Sequence, residues 1–209
     1  KKALQNFARN WNNPEMGGGE QNPGCWQSFA LGKVEVFMLD CRYYRDLSTQ
    51  SMLGPAQKTW LKNKLKASPA TFKIIASSVP FAPGIKPGSQ DPWDGYPEER
   101  EEIFSFIEKE KIEGVLLLAA DRHRIDLRKI KRPKGYDFYE LVSGRLTNKH
   151  VHPVIKTEGL IWGYNQSCGF CLLQVDTRNT SPFIILEAYD FSGVLLMEEK
   201  VLARDLQFK

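Results

Sequence analysis

EEREEIFSFIEKEKIEGVLLLAADRHRIDL, residues 98–127, is the stretch whose reading decides the fold. In its first half Ile103, Phe104 and Ile107 recur at helical spacing among charged neighbours, which predicts an amphipathic helix. Gly114 ends that pattern, and GVLLLAAD (114–121) follows as an apolar run without alternation, the mark of a buried strand. It leads into DRHRIDL, read as a polar loop. A helix feeding a buried strand is the unit of an α/β layer, and ligands of such sheets bind beyond the carboxyl ends of the strands. Asp121 and His123 stand at that end, two residues apart, so an extended backbone would point both the same way. A carboxylate and an imidazole aimed at one point suit a borderline or hard cation. On spacing alone the competing reading is a loop cap with an exposed histidine. Arg122 would project to the other side and Arg124 back towards the site.

Working outward, FKIIASS (72–78) reads as a second short apolar strand, preceded by PAQKTWLKNKLKAS (55–68), a helix with Pro55 in its first turn. Ala56, Trp60, Leu61 and Leu65 would form its buried stripe. Residues 79–97 are rich in proline and glycine, and so long an irregular loop in a compact domain usually serves function. CWQSFAL (25–31) and KVEVFMLD (33–40) read as strands around Gly32-Lys33, and KALQNFARNWNN (2–13) as a helix. The last third changes character. YELVS, GFCLLQVDT, SPFIILEAYD and GVLLMEEKVL, joined by short turns, read as antiparallel strands. The expected fold is α/β, a layered sandwich of one mixed and one antiparallel sheet with helices outside, residues 1–209 forming a single domain or part of a larger one.

Composition leaves the class open but excludes several alternatives. Hydrophobic residues at 42% and charged residues at 26% match a globular chain, not a disordered one. No apolar run reaches the ~18 residues that span a bilayer. No signal-peptide pattern is present, which says little for a chain beginning at Lys1 without methionine. A net charge of +4 with interleaved signs gives no nucleic-acid track. The densest basic cluster, residues 122–134, reads as a solvated loop or as a positive rim for an anionic substrate. Cys25, Cys41, Cys168 and Cys171 are too few for a disulfide scaffold, and the C-x-x-C at 168–171 reads as packing.

Two further groups carry chemistry. Asp40 ends a strand in FMLDCRYYRD and is followed at even spacing by Arg42 and Tyr44. A guanidinium at a strand end can clamp phosphate with two parallel hydrogen bonds; a structural Asp40–Arg42 pair ordering the turn reads equally well. His150 and His152 form H-V-H in LTNKHVHP, suited to a metal or phosphate contact, or to a loop pair held by backbone carbonyls.

The blocks LDCRYYRD, MLGPAQKTWL, SPATFKIIASSVPF, DPWDGYPEEREEIFSFI, GVLLLAADRHR and LTNKHVHP, in that order, resemble the PhoD-like branch of the metallophosphoesterases over essentially the whole chain. The resemblance implies the C-terminal half of a layered α/β/β/α sandwich and a metal-dependent phosphomonoesterase or phosphodiesterase. It implies Asp121 and His123 as metal ligands, Tyr44 as an iron ligand with Tyr43 its neighbour and rival, Arg42 as phosphate clamp and Asp40 as the group orienting Arg42. Arg122, Trp93, His150 and His152 fall in as substrate-binding candidates. Calcium and iron are the implied metals, and a secreted or periplasmic location the implied compartment. One departure is Ala120, where the family motif has glycine, a substitution that would strain the loop if that residue needed positive φ. The family's other ligand segments lie ahead of the residue matching Lys1, so an N-terminal half is expected to complete the site. A non-catalytic structural or interaction domain with a degenerate metal site is the alternative. A nucleic-acid module using residues 122–134 ranks behind it, nucleic acid otherwise being expected only as a phosphodiester substrate.

Overall fold

The computed structural model describes residues 2–147 and 149–209. Asn148 of the LTNKHVHP block lies outside the described residues, as does Lys1. A seven-stranded mixed sheet runs in the order β1-β2-β3-β4-β6-β5-β7. Its strands are β1 (Gln27–Leu31), β2 (Val34–Met38), β3 (Phe72–Ala76), β4 (Val115–Ala119), β5 (Ile125–Ile130), β6 (Phe138–Val142) and β7 (Leu160–Tyr164). A second, three-stranded antiparallel sheet orders β10 (Leu195–Leu202), β9 (Phe183–Asp190) and β8 (Gly169–Asp176). This is a mixed α/β sandwich, as the sequence predicts.

β2, β3, β4 and β6 are parallel neighbours. The crossovers are made by α2 (Gly54–Ala67) and α3 (Pro97–Lys109), the long connections that parallel strands require. α2 buries Leu61 and Leu65, with Trp60 edge-on to Phe37 of β2 at 6.4 Å. α3 buries Ile103, Phe104 and Ile107, as its periodicity demands. The N-terminal α1 (Lys2–Asn10) forms where its pattern indicates but buries none of its residues. One hydrophobic cluster runs from β2, β3 and β4 through Ile125 and Leu127 to Ile184, Leu186, Ala188 and Val201, so the second sheet stacks on the first.

Two expectations are corrected. YELVS belongs to β6 of the mixed sheet, parallel to β4 and antiparallel to β5, not to the antiparallel sheet. The polar reading of DRHRIDL hid β5, which pairs with β6 and β7 and buries Ile125, Asp126, Leu127 and Arg128. The basic cluster is therefore no solvated loop at its start, because Arg122, Arg124 and Arg128 are all buried.

Candidate active site at the carboxyl edge of the sheet

Strand register sets the site. Met38 pairs with Ala76, Ala76 with Leu118 and Leu118 with Leu141, so β2, β3, β4 and β6 end level with one another. Four loops leave this edge together: 39–53 with Asp40, Arg42 and Tyr44; 77–96 with Lys86, Asp91 and Trp93; 120–124 with Asp121 and His123; and 143–159 with His150 and His152. That is the edge where α/β sheets bind ligands.

The loop after β2 is fixed at Asp40. Buried Gln57 accepts the Asp40 N–H at 2.8 Å and donates to its carbonyl at 2.9 Å. The carboxylate of Asp40 accepts N–H groups from Cys25, Arg42 and Tyr43 at 2.9–3.0 Å. Burial alone would raise the Asp40 pKa, but these donors outweigh it and hold the group below its ordinary value. Burial and the adjacent carboxylate push the Cys25 thiol up to about 12. Asp40 therefore orders the backbone of Arg42 and leaves its guanidinium alone. Asp91 does that work: its Oδ1 lies 2.7 Å from Arg42 Nη1 and also accepts from Arg45. Its Oδ2 lies 3.2 Å from Lys86 Nζ. Burial opposes ionisation of Asp91, yet the bonds from Arg45, Arg42 and Lys86 hold it well below the usual carboxylate range. Lys86 in turn reaches Asp121 Oδ2 at 3.5 Å, which joins the Arg42 side of the edge to the end of β4. Sequence reading missed Asp91 and Lys86. Their only signal is position in the proline-rich loop.

Asp121 and His123 do not share an extended backbone. Their φ values are +72° and +49°, so the turn curls them apart: Asp121 towards Lys86, His123 towards the loop after β6. Ala120 has no positive φ, so the lost glycine adds no left-handed strain. Aspartate and histidine are among the residues that tolerate that region. Asp121 Oδ2 is buried and makes no hydrogen bond among the described residues, its contact with Lys86 being an ion pair only. His123 meets His150 and His152, with ring centroids 5.6 and 5.2 Å away. One ligand atom from each of the three lies within 4.8 Å of the others. Burial first, then the charge of Arg122, then the other two imidazoles hold the His152 pKa below its ordinary value, which favours the neutral ring a metal requires.

The remaining candidates stand in or beside these loops, engaged with other groups. Tyr44 is edge-on to Trp26 at 5.8 Å and packs over Gly54, where a Cβ would come within 2.8 Å of its own Cβ. Trp93 is fully buried and lines no mouth: it stacks on Phe81 at 4.9 Å and donates from Nε1 to Ser77 Oγ at 3.1 Å. It braces the loop after β3, where Glu140 also accepts the N–H groups of Phe81 and Ala82 at 2.6 and 2.9 Å. Arg122 is buried at 3% exposure and acts on His152 through charge, away from solvent.

β5 ties these loops together. Asp126 Oδ2 accepts from Arg124 Nε at 2.8 Å and from Arg128 Nη2 at 3.2 Å. Arg128 goes on to Thr157 Oγ1 at 2.7 Å and the Ile155 carbonyl at 2.8 Å, and Arg124 to the Ile85 carbonyl at 3.3 Å. Gly163 faces Asp126 across the ladder. A Cβ there would lie 2.5 Å from Val154 Cγ1 and 3.0 Å from Asp126 Oδ1, so a larger residue would press on Val154 and on the carboxylate at the centre of the triad.

With that geometry in place, the comparison with known proteins is specific. The sequence model of the PhoD-like phosphatases matches residues 2–174. This chain belongs to the PhoD-like phosphatase family. It is 31% identical over 121 residues to alkaline phosphatase D of Bacillus subtilis (strain 168), a match covering 47% of this chain and 21% of that protein. A solved structure titled "Structure of PhoD" superposes with a TM-score of 0.60 at 20% identity, covering 95% of this chain and 48% of that one. The chain thus spans about half of that PhoD structure, and the likeness is one of fold. Among the described residues no helix is long and apolar enough to cross a membrane.

Proposed function

We propose that this PhoD-like chain carries one side of the active site of a metal-dependent phosphoester hydrolase acting on phosphomonoesters or phosphodiesters, its location secreted or periplasmic. The observation that supports it most is the level sheet edge, where Asp121, His123, Arg42 and Lys86 gather in a chain of phosphatase family. Asp121, whose buried Oδ2 makes no hydrogen bond among the described residues, fits as a ligand to calcium or iron; His123, turned towards the loop after β6, and Tyr44 are the further candidates that the family resemblance implies. A metal bound there would supply Lewis-acid polarisation of the phosphoryl group and a more acidic water. Arg42, held at the rim by Asp91 and still half exposed, clamps the phosphoryl oxygens. Lys86 bridges Asp91 and Asp121 and adds a second positive charge at the same rim. Asp40 fixes the turn that presents Arg42. The remaining ligands come from an N-terminal half of the same protein.

A structural or interaction domain with a degenerate site is the second reading, favoured by the turn that sends Asp121 to Lys86 and His123 to the loop after β6. Hydrolysis of p-nitrophenyl phosphate and bis-p-nitrophenyl phosphate by the intact gene product separates the two. Turnover abolished by chelation and restored by metal is expected. Absence of turnover under every metal tried contradicts the hydrolase and supports the second reading. Of the basic cluster behind the nucleic-acid reading, Arg122, Arg124 and Arg128 are buried and Arg132 is paired with Glu101 and Glu108, which leaves its lysines to carry that reading.

A further inference from the structure

We propose that His123, His150 and His152 form a three-histidine site for a borderline divalent transition metal such as zinc or cobalt, built by this chain alone. It rests on the hydrolase reading only in sharing His123.

The three histidines are all the chain contains, and they come from two separate loops to one place. Their ligand atoms already lie within 4.8 Å of one another, close enough that small rotations bring three nitrogens onto one ion. The chemistry of one contact orients the set. His123 Nδ1 lies 3.1 Å from the His150 carbonyl oxygen, which can only accept, so Nδ1 carries the proton and Nε2 the lone pair. A ligating histidine characteristically has its other nitrogen engaged in this way, which fixes tautomer and ring orientation. The same bond links the two loops.

The scaffold behind the site is stiff on the side of His152. Its carbonyl accepts from Asn165 Nδ2 at 3.1 Å, and the loop continues to Ile155 and Thr157, both held by buried Arg128. His150 is exposed, which leaves an entry path. Three imidazoles without a carboxylate select against calcium and magnesium, which take oxygen ligands, and favour zinc, cobalt, nickel or copper. Three histidines with a fourth position open to solvent is also the donor count of catalytic rather than structural zinc sites. Buried Arg122 opposes any cation here and Asp121 offsets it in part, so affinity should be moderate.

Cobalt titration of the 209-residue chain tests this without reference to turnover. One equivalent is expected to bind with the visible absorption of low-coordinate cobalt, to be displaced by zinc, and to resist excess calcium. His150→Ala and His152→Ala are each expected to weaken binding at least about tenfold, with unchanged circular dichroism, since both residues lie in an irregular loop. No cobalt binding, or binding unchanged in the double variant, overturns the site. Binding of inorganic phosphate by the metal-free chain that is lost in the double variant overturns it too, because the cluster is then an anion site. Metal binding without phosphoester turnover leaves this site standing and counts only against the hydrolase. Turnover that survives in the double variant, with cobalt binding lost, supports both readings separately.

Discussion

Asp121 and His123 illustrate how much a single dihedral decides. Two residues apart on a strand they would share a target, but at φ +72° and +49° they serve two different neighbours, Lys86 and the histidine pair. Spacing in the sequence could name both residues and could not state their directions, because the left-handed turn follows from the surrounding loops. Ala120 carries none of that strain. Ala120→Gly is therefore expected to lower stability by about 0.4–1 kcal/mol through the freedom it adds to the unfolded chain, as read by urea denaturation; a gain in stability would show that Ala120 is strained. Glu140 is the other telling residue. Burial raises its carboxyl from the ordinary 4.5 to about 7, against the pull of the Phe81 and Ala82 N–H groups and of Arg128, with Asp126 adding to the rise. A folded pKa above the unfolded one means that the folded state holds the proton more tightly. Stability from this group is complete below about 4.5 and is lost as pH rises through about 7. Denaturation midpoints measured from about pH 5 to about pH 8 should fall in the native chain and stay flatter in Glu140→Gln. Parallel slopes would remove Glu140 as the cause.

At the scale of elements, helices and parallel strands were legible because their patterns are one-dimensional. Ile103, Phe104 and Ile107 mark α3, and the unbroken apolar run from Val115 marks β4. β5 was not legible by hydropathy, since it buries arginine and aspartate. Its signal was there in another form: Arg124, Asp126 and Arg128 alternate with Ile125 and Leu127 at the strand period. Period-2 charges of opposite sign between apolar residues denote a buried ion triad when both faces are covered, and only the tertiary fold shows that they are. The triad holds the loops that carry Lys86 and the histidine pair. Removing its centre strands two guanidinium groups in the interior. Asp126→Ala is expected to cost about 3–5 kcal/mol in stability, measured by thermal or urea unfolding. A cost below about 1 kcal/mol would mean that water reaches the triad and that β5 is not the tie described here.

Across the whole molecule, two stacked sheets share one hydrophobic cluster, and four loops meet at one edge of the larger sheet. Layer order and the Asp121–His123 end of β4 could be anticipated from strand order and family resemblance. The role of Asp91 could not, because it depends on Arg42, Arg45 and Lys86 arriving from two different loops. The central claim is that this edge is half of a metal-dependent phosphoesterase site with His123 among its ligands. The most direct measurement is bis-p-nitrophenyl phosphate turnover by the intact gene product against its His123→Ala variant, both shown to be folded by circular dichroism. A loss of at least about a hundredfold, about 2.7 kcal/mol of transition-state stabilisation, is expected; turnover within about twofold of the native protein would contradict it.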